Sequence, residues 1–121
     1  TVSVIDKNKN YIGGMIYPGF GVSLDSLTAH ASQLGGISIE APEHMIGKNT
    51  TECMKSGLIY SSAAAMDGII DRLQEQLGGE ATVIATGGLA KKIVPHCRRE
   101  IILDDDLLLK GLAIIYKKNR K

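Results

Sequence analysis

Residues 82–90, Thr-Val-Ile-Ala-Thr-Gly-Gly-Leu-Ala, join an apolar β-type run to a helix-like segment through Gly87 and Gly88. A strand that hands two glycines to a helix start presents backbone N–H groups at a mouth where no Cβ blocks a ligand. Thr86 adds a hydroxyl, and Lys91 and Lys92 add positive charge nearby. The chemistry this suits is contact with a nucleotide, through its ribose or a phosphate. A tight strand-to-helix turn with no ligand uses the same residues and is the commoner reason for a lone Gly-Gly. The spacing is neither G-x-G-x-x-G nor a P-loop ending in Gly-Lys-Ser/Thr.

A second stretch, residues 46–57 (Ile-Gly-Lys-Asn-Thr-Thr-Glu-Cys-Met-Lys-Ser-Gly), reads as the start of a helix. Asn49 followed by Glu52 has the spacing of a reciprocal capping box, with Gly47 freeing the backbone before it. Thr50 and Thr51 fall in the first turn, where unpaired N–H groups and the positive end of the helix dipole meet. That environment suits a carboxylate or an amide carbonyl, and Lys48 would strengthen the attraction. Simple capping accounts for the same residues. In residues 12–19 the pair Gly13 and Gly14 sits inside a β-type run, the mark of a bulge or of close approach, most commonly by a neighbouring strand. Asp104, Asp105 and Asp106 could bind a cation, although acids ahead of a helix most often cap it. His30, His44 and His96 share no metal-ligand spacing, and His96 beside Cys97 reads as coincidence rather than a nucleophile pair. With no Ser-His-Asp set and no paired carboxylates, the sequence offers no catalytic residue and no metal site of its own.

A fold must position these stretches, and the composition says what kind. With 121 residues and 44% hydrophobic content, the chain can bury one sizeable core, so residues 1–121 are expected to form a single α/β domain. A formal charge of +1, one Phe and no Trp argue against a nucleic-acid partner or a polybasic membrane anchor. Two cysteines are too few for a disulfide framework and fit a reducing cytoplasm. No signal peptide is expected, and these residues hold no apolar run long enough to cross a bilayer.

The periodicity alternates between strand and helix. Val2, Val4 and Ile5, a polar cluster at residues 6–10, and the run 11–17 predict an antiparallel hairpin with a loop of about five residues, ended by Pro18-Gly19. From Val22 the spacing turns helical through Leu24, Leu27, Ala31 and Leu34 until Gly35-Gly36, and residues 37–41 suggest a short extended piece. The longest helix begins at Asn49 and stops at Gly78-Gly79. Its stripe is Met54, Leu58, Met66, Ile69, Leu73 and Leu77, and small residues at 61–65 would admit another helix closely. Residues 81–85 and 101–103 are strand candidates, and a last helix carries Leu108, Leu112 and Ile115.

In their order, residues 11–19 (Tyr-Ile-Gly-Gly-Met-Ile-Tyr-Pro-Gly), 46–57, 83–90 and 104–119 resemble the C-terminal half of the type III pantothenate kinases, a family earlier also labelled accessory transcription factors. The resemblance spans essentially the whole chain. It implies a ribonuclease-H-like domain of the actin-like ATPase superfamily, a mixed sheet with flanking helices forming one half of a two-domain kinase. The implied reaction moves the ATP γ-phosphate to the hydroxyl of pantothenate, the first step of coenzyme A biosynthesis. Thr50 matches the threonine that contacts pantothenate in the family, and Gly87 and Gly88 match its adenosine-side glycine pair. Pro18 and Gly19 match a loop near the cleft and read as structural.

The family's Asp-x-Gly-Asn-Thr phosphate loop, its Gly-x-Asp-Arg segment with the catalytic base, and its Asp-x-Gly-Thr element are all absent from these residues. Thr1 therefore looks like the residue just after a cut, and the piece alone is expected to be catalytically silent. The resemblance further implies ATP with Mg2+, a monovalent cation (K+ or NH4+) held outside this chain, and a homodimer whose contact surface could include residues 61–65. A regulatory module that has lost kinase activity is the alternative. A sugar- or acetate-type kinase is disfavoured by the Gly-Lys-Asn-Thr element.

Overall fold

The computed structural model describes residues 1–30 and 40–120. The chain divides into two compact units, Thr1–Ile37 and Ser38–Lys121.

In the first unit, strands β1 (Val2–Ile5) and β2 (Tyr11–Met15) pair antiparallel, with Ser3 opposite Gly14 and Val4 opposite Gly13. The five-residue loop is organised by Asp6. Its Oδ1 accepts the N–H groups of Asn8 and Asn10 at 2.8 and 2.9 Å, and Lys9 takes a left-handed φ of 66°. The glycine pair explains the register. A Cβ on Gly14 would lie 1.9 Å from the Val2 carbonyl oxygen, so close strand approach requires glycine there. Gly13 has φ 130° beside the irregularity between Val4 and Ile5, a bulge. The strand ends at Met15, two residues short of the predicted run. Helix α1 (Phe20–His30) starts directly after Pro18-Gly19, two residues earlier than its apolar spacing suggested. The expected continuation through Ala31 and Leu34, the stop at Gly35-Gly36, and residues 37–39 of the extended piece lie outside the described residues. Glu40 and Ala41 are not in a strand.

The second unit is built on helix α2 (Thr50–Leu77), whose 28 residues span about 42 Å. Both ends are fixed as the sequence requires. Asn49 is extended and its side-chain oxygen accepts the Glu52 N–H at 2.9 Å. At the other end Gly78 is left-handed (φ 79°), its N–H reaching Glu75 O while the Gly79 N–H reaches Gln74 O, a Schellman closure. The buried line of α2 is Ser56, Ile59, Ala63 and Ile70, with Leu58 beside it. Of the predicted stripe only Leu58 is buried, and Leu77 is 41% exposed. The reason is the neighbour. Helix α3 (Ala90–Ile93) and the 3₁₀ turn Val94–His96 pack on α2 at its small residues, so Ala63 is covered and buried Ile93 faces in.

Strands β3 (Ile84–Ala85) and β4 (Ile102–Leu103) pair in parallel, through Ile102 N–H to Val83 O and Asp104 N–H to Ala85 O, both 2.9 Å. Parallel and antiparallel pairs thus both occur among the described residues, in two two-stranded sheets, one in each unit. The chain is mixed α/β. Helix α4 (Leu107–Asn119) closes the unit, with no buried residue. No helix among the described residues is long and apolar enough to cross a membrane.

Candidate functional site

The loop before α2 is laced to the helix it precedes. Lys48 N–H donates to Glu52 Oε2 (2.9 Å), the Cys53 thiol lies 3.4 Å from Gly47 O, and the buried Ser56 hydroxyl donates to Met45 O. Gly47 sits so close that a Cβ there would be 2.5 Å from the Cys53 nitrogen. The expected capping box is therefore present but displaced: Asn49 caps Glu52 as predicted, while the Glu52 carboxylate returns to Lys48 rather than to Asn49. Thr50 and Thr51 are exposed in the first turn, and neither their N–H groups nor their hydroxyls have a partner among the described residues. Helix dipole, two amide donors and two hydroxyls converge there, which suits an acceptor-rich ligand group.

The glycine turn follows the C-terminal end of β3. Gly87 takes φ 106°, which a side chain would resist, and Ala90 N–H closes the turn on Gly87 O at 3.3 Å. A Cβ at Gly87 or Gly88 would meet nothing within 4 Å, so the surface over both is open. The helix that follows has only four residues, so the dipole contribution expected from a long helix is small here. What remains is a bare backbone at the C-terminal end of a parallel strand, where ligands of α/β sheets sit. Thr86, Lys91 and Lys92 are exposed around it.

Both elements belong to the second unit, and α2 is the piece they share. Thr50 opens α2, and the segment after Gly88 packs on its middle, where Tyr60 meets His96 edge-on with ring centroids 5.5 Å apart. Tyr60 lies about 15 Å along the axis from Thr50. No hydrogen bond joins Thr50 to Gly87 or Gly88 among the described residues.

The other sequence candidates are occupied elsewhere. Asp104 accepts the Asp106 N–H and pairs with Lys110 at 2.7 Å, and that hydrogen bond holds its carboxyl below the usual range. His96 is engaged with Tyr60. The neighbouring Cys97 thiol lies 3.8 and 3.7 Å from Ala63 O and Ile93 O. Burial, with the Asp67 charge second, pushes its pKa up to about 11, the opposite of an activated nucleophile. No group of three metal-type side chains converges among the described residues.

Two features escaped the sequence reading. Asp67 accepts the N–H groups of Arg98 and Arg99 at 2.8 and 2.9 Å, stapling the segment that leads into β4 to α2, and Arg99 also pairs with Asp71 at 2.6 Å. The sequence signal was the i, i+4 pair of acids facing an Arg-Arg dipeptide. A cavity of about 400 Å³ opens beside Gln74, Thr82, Arg98 and Glu100, near the chain entering β3 and away from the glycine turn.

A family model described as type III pantothenate kinase matches residues 1–72. Curated relatives match nearly the whole chain. The type III pantothenate kinase of Moorella thermoacetica is 41% identical over 119 residues, 98% of this chain and 47% of its own length. Those of Exiguobacterium sp. and Exiguobacterium sibiricum are 43% and 44% identical, over 100% and 99% of this chain and 47% of each relative. The chain thus spans about half the length of the curated relatives it matches. Fold class, motif order and these similarities agree, and the chain belongs to the type III pantothenate kinase family.

Proposed function

We propose that residues 1–121 are the C-terminal half of an ATP-dependent pantothenate kinase, a single ribonuclease-H-like domain of the actin-like ATPase type. The observation that carries the reading is Thr50: it stands at the first position of α2 with hydroxyl and amide both without a partner among the described residues, beside a loop tied down through Met45, Gly47, Lys48 and Asn49. Pantothenate has a carboxylate and amide carbonyls, the acceptors such a turn holds. Gly87 and Gly88 would lie against the adenosine side of ATP, and the open space over both is compatible with that role. In the reaction the pantothenate hydroxyl oxygen bonds to the γ-phosphorus, the bond to the β-phosphate oxygen breaks, and ADP leaves. The proton goes to a base that these residues do not supply. Mg2+ and the monovalent cation would likewise be held by residues other than these. The working form is proposed to be a cytoplasmic homodimer. Because Ala63 is already covered by the unit's own α3 segment, the part of residues 61–65 left for a partner is the exposed Ser61 and Ala64.

The test is a coupled ATP-consumption assay on the full-length protein carrying this sequence, with Mg2+ and K+, with and without pantothenate. Pantothenate-dependent turnover is expected, with none from the 121-residue chain alone. Thr50→Ala should raise the KM for pantothenate more than the KM for ATP. Absence of turnover from the folded full-length protein would overturn the reading.

A further inference from the structure

The displaced capping box has a consequence for substrate. In an ordinary box the N3 carboxylate returns to the cap residue and affects only the helix end. Here the Glu52 carboxylate reaches one residue further, to the Lys48 N–H, and so draws the chain ahead of Asn49 back over the first turn. The Gly47 contact is the other side of the same closure, since only a residue without Cβ fits against Cys53 there. Farther from Thr50, the Ser56 and Cys53 contacts hold Met45 and Gly47. Glu52 is thus the side chain that fixes the residue two before Thr50, and it is surface-accessible enough to be changed without opening a core. Its position carries an electrostatic cost: a carboxylate next to the turn that is proposed to receive a substrate carboxylate.

We propose that Glu52 is a positioning residue for pantothenate, acting by its hydrogen bond to the Lys48 amide and in spite of its charge; this rests on the reading of Thr50 as the substrate contact. Tether and charge make opposite predictions for two substitutions. Glu52→Gln keeps an oxygen that accepts the Lys48 N–H and removes the like charge. Glu52→Ala removes both.

The experiment is steady-state kinetics of the full-length protein with varied pantothenate, comparing wild type, Thr50→Ala, Glu52→Ala and Glu52→Gln. Loss of one charge-assisted hydrogen bond predicts a rise of about tenfold or more in the KM for pantothenate in Glu52→Ala. Its kcat and its KM for ATP should stay within about twofold of wild type, since the group touches neither the reacting atoms nor the nucleotide. Glu52→Gln should match wild type or bind pantothenate more tightly. If Thr50→Ala raises the KM but Glu52→Ala does not, the positioning role is overturned while the substrate site stands. If Glu52→Gln is as damaging as Glu52→Ala, charge rather than the tether is responsible, and the proposal is likewise overturned. If wild type shows no pantothenate-dependent turnover, the functional reading fails and this inference with it.

Discussion

Asp67 offers the most direct test of how the second unit is held together. Its two carboxylate oxygens each accept one backbone N–H, from Arg98 at 2.8 Å and Arg99 at 2.9 Å, and no other side chain among the described residues does this for those amides. Hydrogen bonds to a charged acceptor contribute about 1.5–3 kcal/mol each. Both lie at the surface, so the lower figure applies, and Asp67→Ala should cost about 3 kcal/mol. Asp67→Asn keeps one accepting oxygen and turns an NH2 toward the second amide, so it should lose about half of that. Asp71, four residues on, is the control. Its 2.6 Å ion pair with Arg99 joins side chains that are 42% and 52% exposed, where solvent screens the attraction. Asp71→Ala should therefore cost no more than about 1 kcal/mol. Urea unfolding at neutral pH measures all three. With a slope of about 1.5 kcal/mol/M, Asp67→Ala should lower the midpoint by about 2 M at unchanged slope. Equal, small shifts for Asp67→Ala and Asp71→Ala would refute the argument, because the two amides would then be satisfied equally well by water.

Glycines divide in the same way. Gly14→Ala should cost at least about 2 kcal/mol, because its Cβ would strike the Val2 carbonyl, whereas Gly68→Ala, in the α2 interior with nothing within 4 Å, should add about 0.5–1 kcal/mol in the same urea assay. Gly88→Ala should leave the urea midpoint unchanged but raise the KM for ATP in the full-length protein; an unchanged KM would remove Gly88 from the nucleotide site. The thiols should separate by reactivity: at pH 8 a disulfide reagent should label exposed Cys53 quickly and Cys97 slowly. Because the Cys97 pKa is raised in the folded chain, from 9.0 to about 11, the unfolded state loses that proton first. Stability from this group is complete below pH 9 and is lost as pH rises toward 11, a decline that Cys97→Ala should lack.

The sequence disclosed most where one residue type has one local use. Asn49 as a cap, Gly78-Gly79 as a stop, Asp6 in a hairpin loop and the glycine pair under a neighbouring strand all follow from backbone chemistry within a few residues, and each lies where expected. The buried face of α2 did not follow. Hydrophobicity alone favours the Met54-to-Leu77 stripe, but the buried line runs through Ser56, Ile59 and Ala63, with Ser56 under the Met45 loop and Ala63 beside Cys97, just after the 3₁₀ turn. Residues 81–83 read as strand, yet only Ile84 and Ala85 pair, because β4 offers two residues to pair with. At the candidate site, the place of Thr50 in the first turn of α2 and the glycine turn after β3 were legible from residue types, while their ligand roles stand as proposals. Glu52 was seen as half of a capping box, but its real partner depends on the path of the preceding loop, which spacing does not encode.

The arrangement separates what stabilises from what would bind. Among the described residues, the side chains that tie α2 to its surroundings include Asn49 and Glu52 at one end, Ser56 and Cys97 along the middle, and Asp67, Asp71 and Gln74 beyond. Among the described residues, Thr50 makes no side-chain hydrogen bond or ion pair, and a Cβ at Gly87 or Gly88 would meet nothing within 4 Å. A ligand-facing group must be unpaired before binding, and a preorganised one must be held by neighbours that are not. Cutting the Asp67 staple should accordingly lower stability without changing the turn at Thr50, which lies about 25 Å away along α2. Changing Glu52 should alter the turn at Thr50, at a stability cost of about 1.5 kcal/mol for its single hydrogen bond, half that of Asp67→Ala. Measuring both variants for both properties tests that division: if Asp67→Ala weakens pantothenate binding as well as stability, the two ends of α2 are coupled and the separation argued from their hydrogen bonds is wrong.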